Sequence, residues 1–169
     1  MEQRLNKMEY NNRLNRSLEK VNKLPKFIRP FARNKAIGSA VPLVGTAGIK
    51  FEKISCTELI AHLPNKRKVQ NHIGQVHAAA SVLLAETATG ILLGVNIPDD
   101  KIPLIKSMST KFIKRSVGRQ TAVATLKENE INEIRTLEKG DVNIEVKVVD
   151  ETGEEVIVSE MIWAWIPKK

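Results

Sequence analysis

The stretch Asn71-His72-Ile73-Gly74-Gln75-Val76-His77-Ala78-Ala79-Ala80, continuing through residues 81–85, Glu86 and Thr87-Ala88-Thr89-Gly90, decides how this chain folds. It opens as a polar loop, becomes helical, and carries one acid into an otherwise apolar run. Over residues 76–93 apolar side chains fall on all faces at helical spacing, which predicts a long helix that other elements must wrap. Upstream, Ala47, Ile49 and Phe51 alternate with Gly48, Lys50 and Glu52, and residues 58–63 read as a second strand after a turn near Ser55. Downstream, residues 104–114, 119–127, 141–149 and 155–166 read as four strands joined by short links, with Val142, Ile144, Val146 and Val148 alternating most clearly. Asp150-Glu151-Thr152-Gly153 has the composition of a hairpin turn. Two strands, one buried helix and four strands predict an α+β domain, an antiparallel sheet curled around the helix. A doubly wound fold would need βαβ alternation, which the pattern lacks.

The 169 residues suit one domain, and 27 Lys+Arg against 19 Asp+Glu give a net charge of +8. That excess is local: residues 1–35 hold ten basic and three acidic side chains, against 17 and 16 in the rest. The division expected is a basic N-terminal helical extension at 1–35 and the main domain at 36–169. Leu14, Leu18 and Val21 recur at helical spacing until Pro25, predicting an amphipathic helix of about four or five turns, with a short second helix around 28–37. Two readings of the first helix stand: it covers the domain's own sheet, or its basic face, within residues 1–24, meets anionic lipid weakly. Tyr10 is the only aromatic before Phe27 and there is no helix-turn-helix pattern, so no nucleic-acid partner is expected.

One cysteine, Cys56, permits no intrachain disulfide, and no His/Cys cluster has metal-ligand spacing. A reducing cytoplasm is the expected compartment, with no metal. The start of the chain lacks the apolar core of a signal peptide, and His77, Ser81, Glu86, Thr87 and Thr89 interrupt the most apolar run, so neither export nor a membrane span is expected.

The chemistry-bearing residues cluster around the helix start. An open helix N-terminus presents unpaired N–H groups and a positive dipole end, which stabilise a carbonyl or oxyanion, and Ala78, Ala79 and Ala80 are small enough to let a ligand approach. Glu86 sits among Val82, Leu83, Leu84, Ala85 and Ala88, where an unpaired carboxylate is costly to bury. It is either a satisfied acid in a polar seam with Thr89 or a general base tuned toward neutral pH. His77 and Glu86 are nine residues apart, about 13 Å along one helix and on opposite faces. If both act on one substrate, the site is shared across a two-fold axis between protomers.

Asn71, Gly74, His77 and Glu86, in a long helix between a strand pair and a strand meander, resemble the hotdog-fold acyl-CoA thioesterases. The likeness is to the phenylacetic-acid-degradation type and its uncharacterised bacterial relatives. It covers residues 36–166 and rests on Asn-x-x-Gly-x-x-His followed nine residues later by an acid. The resemblance implies that Glu86 activates water or attacks the thioester carbonyl, and that the Ala78 N–H helps form the oxyanion hole. It further implies that Asn71 contacts the thioester and that His77 supports this end of the site, in a homodimer or a dimer of dimers (a homotetramer). The CoA thioester is then substrate, and no cofactor is implied. The resemblance also implies that Gly74, Lys111, Lys114 and Arg115 bind the substrate or CoA, the basic cluster, with Arg119, meeting the CoA phosphates; solvated strand-end charge explains that cluster equally well, and the connector Lys66-Arg67-Lys68 is a further candidate. His62 and His72 are expected to be structural or exposed, and Trp163 and Trp165 to face one packed surface.

Three positions depart from the family pattern. His77-Ala78-Ala79 stands where His-Gly-Gly is frequent, Glu86 where Asp is common, and Lys114 where a small polar group often holds the water. A non-catalytic acyl-CoA-binding or sensing module of the same fold is therefore the alternative reading. A hydratase or dehydratase ranks last, because neither the Asp/His arrangement of the enoyl hydratases nor a His-Phe-Pro motif is present.

Overall fold

The computed structural model describes residues 10–169. Arg4 and Lys7, and the first part of the 1–24 stretch, lie outside the described residues. Three helices come first, α1 (Arg13–Asn22), α2 (Arg29–Ala40) and α3 (Pro42–Ala47), then the hairpin β1 (Lys50–Ile54) and β2 (Glu58–Leu63). A connector with a 3-10 turn at Arg67–Val69 leads to the long helix α4 (Ala78–Gly94). It is followed by β3 (Lys101–Phe112), β4 (Gln120–Thr125), α5 (Glu128–Thr136), β5 (Gly140–Asn143), β6 (Glu145–Asp150) and β7 (Glu155–Pro167). All strand pairs are antiparallel, in one sheet ordered β1-β2-β4-β6-β7-β3, with β5 also on β7.

The period-two pattern determines which face of this curved sheet meets α4. Leu59, Ala61 and Leu63 of β2, Ala122 and Ala124 of β4, and Val146 and Val148 of β6 are buried while their neighbours are less so. Ala61 pairs with Ala122 and Leu59 with Ala124, so small side chains sit where the helix crosses. From α4 come Leu84, Ala85, Ala88, Leu92 and Leu93, all buried. Gly90 admits the Trp163 ring, since a Cβ there would lie 2.7 Å from the indole. The Trp163 indole N–H in turn donates to the Thr89 hydroxyl at 2.9 Å, which satisfies a polar group inside this interface.

The structure departs from the sequence pattern in several places. Thr46 and Ala47 belong to α3, which Gly48 closes with φ +78°, so β1 starts at Lys50. The third strand starts at Lys101 and ends at Phe112, leaving Lys114 beyond it. The link after β4 is not short: α5 occupies it, with Ile131 and Ile134 buried and a cap in which the Glu130 carboxylate accepts from the Lys127 N–H. The stretch 141–149 is two strands separated at Ile144, whose N–H donates to Met161 O, so the sheet has seven strands among the described residues. α1 has ten residues, shorter than expected, because Asn12 caps it. α2 runs continuously through residues 35 and 36, where the sequence pattern places the end of the extension.

Nor does α1 cover the sheet. It seals the C-terminal end of α4, whose last carbonyls have no partner within the helix. Buried Asn12 donates to Gly94 O (2.9 Å) and Ile97 O (2.8 Å), and buried Asn15 donates to Val95 O (2.8 Å) and Tyr10 O (2.7 Å). Asn12 also accepts the Asn15 N–H as the α1 cap. Asn12→Ala removes that cap and strands two carbonyls, so we expect a loss of about 3 kcal/mol in urea unfolding. A loss below about 1 kcal/mol would show that water replaces the asparagine without penalty.

The two edges of the sheet are treated differently. At β1 the Phe51 N–H donates to Asn34 Oδ1 at 2.9 Å and the Arg33 guanidinium donates to Phe51 O, so α2 closes that edge. At the other end β3 has β7 on one side and, among the described residues, no strand on the other. It exposes Ile102, Leu104, Ile105 and Met108, with Phe112 at its end. An open apolar edge of this length is a template for another strand.

Candidate active site

Residues 70–77 form a tight loop held by their own backbone. Asn71 N–H donates to Gln75 O (2.8 Å), Gly74 N–H to Asn71 O (3.1 Å), and His77 N–H to Val69 O (2.8 Å). Gly74 takes φ +74°, a left-handed conformation that a side chain would strain. Asn71 Oδ1 accepts from the Ile73 and Gln75 N–H groups, both at 3.1 Å. Its oxygen thus braces the loop, and its Nδ2 has no acceptor among the described residues.

His77 is the N-cap of α4, and its Nδ1 accepts the Ala79 N–H at 3.0 Å. In the neutral ring this places the proton on Nε2, as a donor on an exposed side chain. Sequence reasoning placed His77 near the helix start but missed this cap, because a histidine is not among the usual capping residues. The Ala78 N–H has no acceptor among the described residues. Asn71 Nδ2, Ala78 N–H and His77 Nε2–H therefore belong to one short junction at the positive end of the α4 dipole, a donor set suited to a developing oxyanion.

Glu86 lies two turns further along the same helix. It is half-buried on α4, as are Val82 and Leu83 one turn before it. Burial raises its carboxyl above the ordinary value of 4.5, and a hydrogen bond from the Thr87 hydroxyl (3.4 Å) opposes this only in part. Thr89 does not pair with the carboxylate: its hydroxyl donates to the Ala85 and Glu86 carbonyls, both at 3.0 Å. No cation bonds Glu86 among the described residues. Glu86 is eight residues beyond Ala78, which puts about 12 Å of helix between the donor set and the carboxylate. Four cavities among the described residues include neither Ala78 nor Glu86 in their linings.

The structure thus brings Asn71, Gly74, His77 and Ala78 together and leaves Glu86 apart from them. Lys111, Lys114 and Arg115 are exposed at and just beyond the end of β3, where Lys114 Nζ lies 3.5 Å from the Glu154 carboxylate. Arg119 and the connector Lys66, Arg67 and Lys68 are exposed too. His62 bridges Thr121 Oγ1 (2.9 Å) and Glu52 Oε2 (2.6 Å) across neighbouring strands, His72 is exposed, and Trp165 is buried with its N–H on Leu137 O at 3.0 Å. Among the described residues no group of three or more His, Cys, Asp or Glu side chains could hold a metal ion. No described helix is long and apolar enough to cross a membrane.

This architecture is shared with solved proteins. A Pseudomonas aeruginosa protein described as a probable thioesterase superposes with a TM-score of 0.71 at 23% identity, over 86% of this chain and 97% of that one. A thioesterase from Haemophilus influenzae gives 0.65 at 18% identity, over 82% and 90%. A mutant of a Staphylococcus aureus thioesterase gives 0.63 at 23%, over 75% and 100%. The likeness is one of fold, and the fold is the hotdog: a curved antiparallel sheet around a central helix. No curated protein matches the sequence. A family model does match, over residues 32–166, and on that match the chain belongs to the family described as a domain of unknown function, DUF4442.

Proposed function

We propose that this protein hydrolyses an acyl-CoA thioester to the free acid and CoA, at a site completed by two copies of the chain. The observation that supports it best is Glu86, a half-buried carboxylate on an apolar helix, with no cation and a raised pKa. Such a group takes a proton from water near neutral pH. The water oxygen then bonds to the thioester carbon, and the carbonyl oxygen becomes an oxyanion held by the Ala78 N–H with Asn71 Nδ2 nearby. Collapse breaks the C–S bond, and the proton held by Glu86 passes to the departing thiolate.

Since Ala78 and Glu86 of one chain are too far apart for one carbonyl, the donors come from one protomer and the base from its partner. The uncovered β3 edge supplies a surface for that pairing, as a dimer or a dimer of dimers. Lys111, Lys114 and Arg115 then serve the CoA phosphates. The methyl of Ala78 favours the alternative, an acyl-CoA-binding module without turnover, because it narrows the approach to the N–H.

Purified protein should release free thiol from at least one member of a short, long and aryl acyl-CoA panel, and should sediment as a dimer or tetramer. Acyl-CoA binding without thiol release would replace hydrolysis by sensing. A monomer with full turnover would remove the shared site.

A further inference from the structure

Between Glu19 and Glu52 the chain contains no acidic residue, yet it carries Lys20, Lys23, Lys26, Arg29, Arg33, Lys35 and Lys50. None of these seven forms an ion pair among the described residues. Arg29 Nε donates to Leu24 O at 2.7 Å and Arg33 is held by β1, which leaves Lys20, Lys23, Lys26 and Lys35 around the α1–α2 corner without a carboxylate partner among the described residues.

The same corner exposes apolar side chains in register. Leu24, Phe27, Ile28 and Phe31 are spaced i, i+3, i+4, i+7 in the sequence, and all four are exposed where a turn opened by Pro25 runs into α2. The inner side of α2 packs Ile37 into the core, yet Phe27 is 83% and Phe31 70% exposed. Basic residues flanking a solvent-facing apolar stripe are what a bilayer interface accommodates: phosphates meet the lysines, and the rings and branched aliphatic groups enter the acyl boundary. A nucleic acid would satisfy the charge, but it offers Leu24 and Ile28 no hydrocarbon.

We propose that the α1–α2 corner, residues 20–35, docks this protein on an anionic lipid bilayer. The inference does not depend on the thioesterase reading. It also moves the lipid-facing surface from the basic face of the first helix to the corner that follows it.

The test is flotation of the full chain with phosphatidylcholine vesicles, with and without one-third phosphatidylglycerol, at about 0.1 M salt, where charge still acts over about 10 Å. Binding is expected only to the anionic vesicles, weakening as salt rises. The double variant Phe27→Ser/Phe31→Ser should lower it at least tenfold at unchanged net charge, and Lys23→Glu/Lys26→Glu should do the same. Because these side chains face solvent, circular dichroism should not change. The proposal is overturned if anionic vesicles do not bind the protein. It is equally overturned if the phenylalanine variant binds as before, which would mean diffuse attraction of a basic chain. A phenylalanine variant that changes the sedimentation of the lipid-free protein would assign the face to a second copy instead.

Discussion

Glu86→Ala is expected to lower kcat for thioester hydrolysis by about a thousandfold while the fold and assembly remain. The reasoning starts from cost. A carboxylate on an apolar helix, opposed only in part by the Thr87 hydroxyl, resists ionisation, so its pKa lies above the ordinary 4.5. For an acid whose folded pKa is raised, the folded state holds the proton longer than the unfolded chain does. Stability therefore falls as pH rises from the unfolded to the folded value, and the ionised form at neutral pH is a burden on the fold. Glu86→Gln should consequently match or exceed the wild type in thermal stability at pH 7 while losing turnover. A catalytic group and a merely structural one differ here, because loss of a structural acid would lower the melting temperature. The acid limb of kcat/KM should lie above pH 4.5 and move upward in Thr87→Val, which removes the one hydrogen bond that favours the charged form. Turnover retained in Glu86→Ala would end the assignment.

The second large effect comes from a substitution that removes one backbone N–H donor. Ala78 is the first residue of α4, a position where proline is well tolerated because its N–H lies outside the helical ladder. The preceding residue must be extended, and His77 already is, with φ −64° and ψ 142°. Ala78→Pro should thus leave the helix and the melting temperature close to wild type. It removes the proposed oxyanion donor, and kcat should fall by about 10²–10³-fold. Ala78→Gly keeps the N–H and widens the approach, so its kcat should equal or exceed that of the wild type. Equal rates in the proline and glycine variants would place the oxyanion elsewhere, for example on Asn71 alone.

Much of this architecture was legible because it rests on periodicity. The run from Val76 to Leu93 is too apolar on every side to be anything but wrapped, and the alternation in β2, β4 and β6 marks the face that does the wrapping. The misreadings are equally physical. Ala47 alternates with its neighbours by coincidence, since Pro42 at a helix start and Gly48 at its end bound one short helix. In α5 only Ile131 and Ile134 are buried, too sparse a stripe among acids to register as a helix. Ile144 continues the alternation of Val142 and Val146, and its N–H bonds Met161 O of β7, so the break between β5 and β6 leaves the pattern of apolar residues intact.

The candidate site divides along the same line. By itself the sequence determined the central helix, the strand faces around it, the polar junction from Asn71 to Ala78 and the isolation of Glu86 among apolar neighbours. All are local patterns, readable because helix and strand periods are fixed by the backbone. Only the tertiary structure decided that Asn12 and Asn15 close the far end of α4, that Asn34 and Arg33 close the β1 edge while β3 stays open, and that Phe27 and Phe31 face solvent. These depend on which donors meet which orphan carbonyls across as many as 85 residues of chain. Hydrogen bonds between distant segments leave no period in the sequence for a reader to find.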